Sequence, residues 1–488
     1  MLTVHDSATV RAAEAAMMRQ VGQDALMERA CTGLALAAVR MLREGPGHVP
    51  GARVALLVGA GANGGDALLA GALLAGRGVR VEAVLLAGDR THAGGLAALG
   101  RAGGRVHAHD AATAADVLAG ADLVLDGIVG IGGKGGLRPE AEVLVAVVHG
   151  AGVPVLAVDL PSGVDADTGT VEPATGGGGA ADGAHVRATR TVTFGTLKPV
   201  HCLDPGAAAC GPVDLVDIGL GPFLPSDGAF AVVTGRDVAA VPVPDGESQK
   251  YSRGVLGVRA GSAGYPGAAV LCTAGALAGP IGMVRLVGPD DVARAVVARF
   301  PEVVAGAGQV QAWAVGPGLG HDRGAEVAEV LASGLPVLLD ADALRFLPGR
   351  VPDGAPVLLT PHAGELARLL GVDRAAVEAR RLEHALAGAR RTGATVLLKG
   401  NTTVVASPDG RVRVADAGTP YLATAGAGDV LSGFAGALLA AGLQPLEAGA
   451  LGAFLHGTAA RRVSGAPARQ IVAAEVAGAL AATVASLR

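Results

Sequence analysis

Two glycine-rich segments that each end in an aspartate lie far apart in this chain of 488 residues. The first runs from Gly59 to Asp66, and the second from Thr424 to Asp429. Each follows an extended segment and precedes an apolar run with helical character. A turn of this kind directs backbone N–H groups at an anion, which the helix dipole also favours. The pattern predicts two strand–loop–helix units, each with a site for a phosphate-bearing ligand.

Length and composition limit the classes of protein to consider. The length of 488 residues predicts two or three domains, and the hydrophobic half of the residues can form sizeable cores. The net charge of −5 is spread along the chain, so we expect no nucleic-acid partner and no membrane binding. The most apolar long stretch, Ser432 to Leu443, is too short to span a membrane. Cysteines without CxxC spacing and an N-terminus without a signal-peptide pattern predict a cytoplasmic protein with reduced thiols.

The N-terminal part alternates between predicted helices and strands. Residues 7 to 42 show helical spacing of apolar residues with Ser7 as the candidate cap, and Ala67 to Ala75 is also helical. The four glycines Gly176 to Gly179 predict a flexible loop. The strand candidates are Val54–Val58, Val79–Leu86, Leu123–Asp126, Val153–Asp159 and Thr191–Phe194. This order predicts an α/β, Rossmann-like domain of three layers, with a parallel sheet between helices.

The Pro- and Gly-rich stretch Gly219 to Gly228 is a candidate linker. We therefore expect one domain at residues 1–222 and a second α/β domain at residues 229–488. Two short apolar runs, Thr403–Ala406 and Arg411–Val414, flank a Ser-Pro-Asp-Gly turn and predict a hairpin. The other strand candidates of this part are Val255–Val258, Val284–Val287, Ala312–Val315, Val337–Leu339, Val357–Leu359 and Val396–Leu398.

Four oxygen-bearing side chains are expected at one edge of the first sheet. Asp126 and Asp159 each end an apolar strand, and Asn63 and Ser162 lie just beyond strand ends. In an open parallel sheet, ligands bind in the crevice at those ends. Amide, carboxylate and hydroxyl oxygens suit an alkali or alkaline-earth cation.

The loop from Gly59 to Asp66 resembles the GxGNNGGDG loop of NAD(P)H-hydrate epimerases, the YjeF N-terminal family. Four further segments match this family, so that the resemblance covers most of residues 1–220. They are Leu26–Ala30, Leu125–Gly136, Val158–Asp165 (which resembles a VDxPSGxD signature) and Thr191–Phe194 followed by Lys198.

This resemblance implies a potassium ion held by Asn63, Asp126 and Ser162. Epimerisation at a hydroxyl-bearing carbon beside nitrogen needs proton transfer, with ring opening or loss of water. Asp159 or Asp126 could supply the acid/base group, and we assign this catalytic role to Asp159. The resemblance also implies that the hydrated nucleotide contacts Ala62, Asn63, Gly64, Gly65, Asp66, Gly130, Ile131, Gly132, Gly133, Lys134, Gly135, Gly136 and Asp159.

Two positions of the first loop depart from the family pattern. The first Asn of the family loop is Ala62 here, and the final Gly is Ala67. Loss of one amide could weaken ligand contacts, or another group could replace it. The alternative hypothesis is therefore that the N-terminal half is a binding module without catalysis.

The C-terminal half resembles ADP-dependent NAD(P)H-hydrate dehydratases, which have a ribokinase-like α/β fold. The resemblance extends over residues 248–433. It departs from the family pattern at Gln249, where a His is usual, and at Ala425, where a Gly is usual. The matching segments are Lys250–Gly254, Ala260–Ala268, Gly316–Gly320, Leu359–Glu365, Lys399–Thr403 and Gly426–Asp429.

This second resemblance implies a catalytic role for Asp429. The aspartate takes the proton from the hydroxyl of the nicotinamide hydrate, which is phosphorylated by ADP, and phosphate then leaves. Catalysis by positioning and charge neutralisation implies Mg²⁺ with the nucleotide. The expected hydrate contacts are Ala268, Gly318, His362 and Asp429. The expected ADP contacts are Lys399, Gly400, Asn401, Thr402, Thr403 and Gly428.

These observations favour a bifunctional enzyme that repairs hydrated NADH and NADPH (NADHX and NADPHX). The N-terminal domain would interconvert the R and S hydrates. The C-terminal domain would use ADP to dehydrate the S hydrate, giving NAD(P)H, AMP and phosphate. We also expect a homo-oligomer. The alternative is a ribokinase-like kinase for a small molecule, fused to a non-catalytic nucleotide-binding module.

Overall fold

The computed structural model describes residues 1–108, 111–172, 184–347 and 349–488. The predicted loop Gly176–Gly179 lies outside the described residues. The chain divides into two compact units, Thr3–Ala229 and Met1–Leu2 with Phe230–Arg488. In the described ranges, no helix is both long and apolar enough to cross a membrane.

The first unit contains a seven-stranded sheet in which all neighbouring strands are parallel. In spatial order the strands are Arg105–Ala108, Arg80–Leu85, Arg53–Val58, Leu123–Gly127, Val155–Val158, Arg190–Phe194 and Val213–Val216. The five predicted strands are therefore present. The two strands that were not predicted lie at the two edges, where Arg105 and Asp214 interrupt the apolar pattern.

Helices cover both faces of this sheet, which confirms the predicted three layers. Along the strand Arg53–Val58, Val54, Leu56 and Val58 pack into one apolar cluster, whereas Ala55 and Leu57 pack into another. Alternate side chains of a strand point to opposite faces, so both faces are buried. The helices are Ser7–Val21, Gln23–Glu44, Ala62–Ala75, Ala93–Arg101, Ala111–Ala119, Pro139–Ala151 and Gly206–Cys210.

The predicted helix over residues 7 to 42 is wrong in two details. Gly22 has a φ of 81° and divides it into two helices. Asp6 rather than Ser7 is the cap, since its side chain accepts a hydrogen bond from the Thr9 amide at 2.8 Å. The next helix begins at Ala62 and not at Ala67, because most of the glycine loop is itself its first turn.

The second unit is built on a mostly parallel sheet. From the strand Phe230–Val232, the order continues through Val412–Ala415, Thr403–Ala406, Thr395–Leu398, Val357–Leu359, Val337–Leu339, Ala312–Val315, Val255–Arg259, Met283–Leu286 and Val304–Ala305. The strand Thr403–Ala406 is antiparallel to both of its neighbours, which confirms the predicted hairpin. The chain also begins with a short strand, Leu2–Val4.

A close pair of helices positions the second glycine loop. A Cβ built on Gly433 would lie 1.8 Å from the Cys272 oxygen, and one on Gly275 would lie 2.1 Å from the Val430 oxygen. The backbones of Pro266–Leu277 and Ala427–Ala440 can therefore touch only because both positions are glycine. The other helices of the unit are Asp290–Arg299, Gly324–Ala332, Ala363–Leu370, Arg374–Ala379, Arg381–Thr392, Pro445–Ser464 and Ala473–Ser486.

Candidate active sites

The first glycine loop borders a cleft of about 1040 Å³ at the carboxyl ends of the strands. Ala62, Asn63 and the whole of Gly130–Gly136 line it, so two segments that were predicted separately meet in one cavity. Gly64, Gly65 and Asp66 are instead buried in the first turn of the helix and are not among the lining residues.

The loop fits this position because Gly59 has no side chain. Its amide donates to the Gly127 oxygen at 3.0 Å, and a Cβ at this position would lie 1.8 Å from the Ile128 oxygen. Gly61 is the N-cap residue, and no side chain in the described part of the chain caps the helix. The free N–H groups of the first turn suit an anion.

Among the charged side chains that line the cleft, four are basic and two, Glu14 and Glu140, are acidic. Lys134 comes from the predicted segment, and Arg11, Arg90 and Arg138 come from residues that the sequence reasoning missed. Glu14, from the same helix as Arg11, is an acidic lining residue. No motif in the sequence marks Arg11 or Glu14, since their position depends on how the helix Ser7–Val21 packs. The positive lining suits the phosphates of a dinucleotide.

Asp126 and Ser162, two of the three predicted potassium ligands, are in direct contact. The Ser162 hydroxyl donates to Oδ1 of Asp126 at 2.7 Å, and the Ser162 amide donates to Oδ2 at 2.8 Å. Both side chains are fully buried. Burial raises the pKa of Asp126 to about 6, although the hydrogen bonds from Ser162 and Ile128 oppose this.

Asn63, the third predicted ligand, is anchored to the next strand. Its Nδ2 donates to the Val158 oxygen at 2.6 Å. Its Oδ1 would be 2.3 Å from a Cβ on Gly130, so the amide oxygen faces that segment. The carbonyl-type oxygen of Asn63 and the Asp126–Ser162 pair thus come from separate strand ends of one sheet.

Asp159 lies in a buried polar network. Lys198 donates from Nζ to Oδ1 of Asp159 at 2.6 Å, and Thr193 donates to the same oxygen at 2.9 Å. Burial alone would raise the pKa of Asp159, but the charge and hydrogen bond of Lys198 outweigh it and hold the pKa below its usual value. Asp159 is therefore a carboxylate at neutral pH. It does not line the cleft, and its residue exposure is 6%.

His201 fixes the backbone at this position. Its Nδ1 accepts from the Lys198 amide at 2.9 Å, so Nε2 carries the proton and donates to the Asp159 oxygen at 2.8 Å. Burial lowers the pKa of His201 to about 4, which keeps the ring neutral. This bond helps to hold Asp159 at a φ of 67°, a conformation that non-glycine residues seldom adopt.

Two further carboxyl groups near Asp159 have raised pKa values. Burial, together with the charges of Asp159 and Glu14, raises the pKa of Asp66 to about 8. Burial also raises the pKa of Glu14. Neighbouring carboxyl groups with separated pKa values are typical of acid/base sites.

The second glycine loop opens the helix Ala427–Ala440. Gly426 is the N-cap residue with a φ of 83°, and Asp429 lies in the first turn. Burial and then the charge of Asp340 raise the pKa of half-buried Asp429 to about 6, although Lys399 opposes this. Asp429 is thus a base near neutral pH at the end of a helix that suits an anion.

Lys399, a predicted ADP contact, lies next to this loop. A Cβ on Gly428 would be 3.6 Å from Lys399 Nζ. The lysine also donates to Oδ1 of Asp340 at 2.7 Å. Burial works against the charge on Lys399, but Asp340 and Glu365 outweigh it and raise the pKa.

The remaining predicted nucleotide contacts differ in exposure. Gly400 and Asn401 are exposed, whereas Thr402 and Thr403 are buried where the strand begins. A Cβ on Gly400 would be 2.2 Å from an Arg381 Nη2, which donates to the Lys399 oxygen at 2.8 Å. The guanidinium of Arg381 thus helps to hold the backbone of this segment in place.

Two of the predicted hydrate contacts are adjacent. A Cβ on Gly318, which has a φ of 60°, would lie 2.7 Å from Cβ of Ala268. His362 is exposed and caps the helix Ala363–Leu370, because its Nδ1 accepts from the Gly364 amide at 3.0 Å. Its Nε2 lies 3.5 Å from Glu365. The helix cap is thus a structural role for His362 in addition to the predicted one.

Comparison with known proteins gives two family matches in the order predicted. Residues 23–200 match the family described as YjeF-related protein N-terminus, and residues 256–481 match NAD(P)H-hydrate dehydratase. The bifunctional NAD(P)H-hydrate repair enzyme Nnr of Mycobacterium tuberculosis is 48% identical over 429 residues, which cover 84% of this chain and 83% of the relative. The chain belongs to the family of bifunctional NAD(P)H-hydrate repair enzymes. This membership favours the bifunctional hypothesis over a kinase fused to a binding module.

A second member of this repair family and one solved structure agree. The Nnr enzyme of Mycobacterium leprae is 48% identical over 427 residues, with 84% of this chain and 83% of the relative covered. The ADP/ATP-dependent NAD(P)H-hydrate dehydratase of Bacillus subtilis, co-crystallised with ATP and Mg²⁺, is 30% identical with a TM-score of 0.50. The match covers 53% of this chain and 99% of that one. The predicted α/β fold with a ribokinase-like second domain is confirmed.

Within this repair enzyme, the sequence reasoning missed Asp340 and gave Lys198 no role. Asp340 directly follows the strand Val337–Leu339, the same signal that identified Asp159. The sequence marks Lys198 only as part of a matching segment. Its pairing with Asp159 depends on the fold of the loop that follows Phe194.

Proposed function

We propose that this chain repairs hydrated NADH and NADPH in two steps. The first unit interconverts the R and S hydrates, and the second unit uses ADP to dehydrate the S hydrate. The observation that carries the proposal is the cleft in the first unit, where Ala62, Asn63 and Gly130–Gly136 meet as the epimerase resemblance implies. Asp429, Gly428 and Lys399 form the matching cluster in the second unit.

For the epimerase step, we assign the acid/base role to Asp159. A base removes the proton of the hydroxyl on the carbon beside the ring nitrogen. The bond between that carbon and the nitrogen breaks, and the nitrogen takes up a proton. Closure on the other face of the resulting carbonyl gives the other epimer, with no net change in atoms or charge. The buried Lys198 keeps Asp159 ionised and therefore able to accept the first proton.

Potassium fits the oxygen-rich cluster of the first unit. Asp126 is a fully buried carboxylate whose hydrogen bonds come from Ser162 and Ile128, which are neutral groups. A monovalent cation would balance this charge, and Asn63 and Ser162 would add neutral oxygen ligands. The ion would fix the loop around Gly130 against Asn63, and it would supply charge balance there.

For the dehydratase step, we assign proton removal from the hydrate hydroxyl to Asp429. The hydroxyl oxygen forms a bond to the β-phosphorus of ADP, the bond from that phosphorus to the bridging oxygen breaks, and AMP leaves. The bond between the ring carbon and the phosphate oxygen then breaks and phosphate leaves. Loss of a proton from the ring restores the reduced nicotinamide. Lys399 and the first-turn amides around Gly428 would hold the nucleotide phosphates.

Mg²⁺ enters this proposal as the partner of the nucleotide phosphates. The phosphate oxygens of the nucleotide are the hard ligands that suit this ion. When bound, Mg²⁺ would neutralise charge that develops on the phosphates. We also propose a cytoplasmic homo-oligomer; the four cysteines lack CxxC spacing, which suits a reducing compartment.

Two variants of the full chain test the assignment of one reaction to each unit. Asp159→Asn should abolish interconversion of the hydrates and leave ADP-dependent dehydration of S hydrate intact. Asp429→Ala should do the reverse, with losses of about 10²-fold or more in each case. Chiral chromatography of the hydrates and absorbance of NADH report the two steps. Retention of dehydration in Asp429→Ala, or of epimerisation in Asp159→Asn, contradicts the corresponding assignment.

A further inference from the structure

Asp340 is a buried carboxylate that joins three elements of the second unit. The residue directly follows the strand Val337–Leu339, and its side chain is 2% exposed. One oxygen accepts from Lys399 Nζ at 2.7 Å, and the other accepts from the Ser432 hydroxyl at 2.6 Å. Lys399 follows another strand, and Ser432 lies one helical turn beyond Asp429. The carboxylate therefore connects the lysine of the site to the helix that carries the proposed base.

The Asp340–Lys399 pair also lies against the anion loop. A Cβ on Gly428 would be 3.6 Å from Lys399 Nζ and 4.0 Å from Oδ2 of Asp340. Lys399 is 21% exposed, so its ammonium group remains within reach of a phosphate while Asp340 holds it. Without this carboxylate, the long lysine side chain would have several rotamers available at the loop.

We propose that Asp340 is a positioning residue of the dehydratase site. It holds Lys399 beside the anion loop and, through Ser432, fixes the helix that presents Asp429. This inference rests on the proposed dehydratase function. Asp340 need not touch the nucleotide or the hydrate, because it acts through the lysine and the base.

The negative charge of Asp340 should affect the pKa of Asp429. The charged groups that face Asp429 are Asp340 and Lys399, and the Cys272 thiol faces it from the adjacent helix. His362 and Glu365 act one step away, through Lys399. Burial and then Asp340 raise the pKa of Asp429 to about 6, while Lys399 lowers it. Replacing Asp340 by a neutral group leaves the lysine unopposed, so the pKa of Asp429 should fall.

The test measures kcat and KM for ADP-dependent dehydration of S hydrate across pH. Asp340→Asn should lower kcat on the order of 100-fold, as expected when catalytic groups are misplaced. It should also move the acid limb of the kcat profile to lower pH by about one unit or more. Asp340→Glu keeps the charge, so its limb should stay while kcat falls. Ser432→Ala is the matched control that removes one hydrogen bond and no charge, and its limb should also stay.

An acid limb that does not move in Asp340→Asn, or the lack of any limb to move, overturns the inference. Lys399→Met supplies a second test if Asp340→Asn does not fold. It leaves the charge of Asp340 to act alone on Asp429, so the limb should move to higher pH, and an unmoved limb again overturns the inference. A wild-type chain that cannot dehydrate S hydrate with ADP contradicts the proposed function itself. An active wild type with unmoved limbs in the variants contradicts only the role of Asp340.

Discussion

Lys198 donates a 2.6 Å hydrogen bond from Nζ to Oδ1 of Asp159, and the two side chains are only 1% and 8% exposed. A buried charge without a partner is costly, and a buried pair is tolerated when hydrogen bonds satisfy it. Thr193 and the Phe194 oxygen supply those bonds. The pair thus keeps a carboxylate ionised in a place where burial alone would neutralise it.

Replacing Lys198 by methionine should therefore affect both stability and epimerisation. It leaves Asp159 buried without its counter-charge, which typically costs about 3–5 kcal/mol when one partner of such a pair is removed. The pKa of Asp159 should rise, and the base should be lost at neutral pH. Urea unfolding and hydrate interconversion measure the two effects. Lys134→Met, at an exposed position of the same unit, is the control for stability and should leave it unchanged.

Two glycines of the first loop should differ sharply in how well they tolerate replacement by alanine. In Gly59→Ala the new Cβ would lie 1.8 Å from a backbone oxygen, so the loop must shift and epimerase activity should fall. In Gly61→Ala the new Cβ has nothing within 4 Å, so the fold should tolerate it. Thermal melts and epimerase assays of both variants check this. Equal stability of the two variants would show that the loop does not pack as described.

The first-turn aspartate should make stability depend on pH. Burial raises the pKa of Asp66 to about 8, above the value of about 3.9 for an unfolded chain. A group with a raised folded pKa contributes stability that is present at low pH and is lost as pH rises through that pKa. The wild type should therefore lose stability between about pH 4 and about pH 8. Asp66→Asn should show a smaller loss in thermal melts over that range, and an unchanged pH dependence would contradict this.

The second site offers a matched test at Gly318. A Cβ there would lie 2.7 Å from Ala268, and the φ of 60° disfavours other residues. Gly318→Ala should raise KM for the S hydrate and leave epimerisation intact, because Gly318 and Ala268, two of the four predicted hydrate contacts, would move. Gly264→Ala is the control, since a Cβ at that glycine meets nothing within 4 Å. A KM that is equal in the two variants would remove Gly318 and Ala268 from the proposed hydrate site.

The parts predicted well from the sequence are those that local patterns determine. The strands Ala312–Val315, Val337–Leu339 and Val357–Leu359 have the bounds predicted, because each is a short apolar run between turn signals. The two-residue strand Val304–Ala305 was missed, since so short an element has no periodicity. Phe230–Val232 was missed too, and at three residues it is hardly longer.

In the candidate sites too, local patterns predict some residues, whereas contacts between distant parts of the sequence are missed. Asp159 and Asp126 could be predicted because each lies at a strand end of a parallel sheet. The lysines that pair with Asp159 and Asp340 could not be predicted, because the contacts are distant in sequence: Lys198 is 39 positions from Asp159, and Lys399 is 59 from Asp340. Only the packed fold brings such pairs together, and it also shows that Asp66 is buried.

The most direct test of repair in two steps follows pure R hydrate of NADH through the full-length protein. With ADP, Mg²⁺ and K⁺ present, we predict complete conversion to NADH with one AMP and one phosphate formed for each hydrate. Without ADP, the same protein should give only a mixture of R and S hydrates. Accumulation of unreacted R hydrate in the presence of ADP, or repair that consumes no nucleotide, would contradict the account.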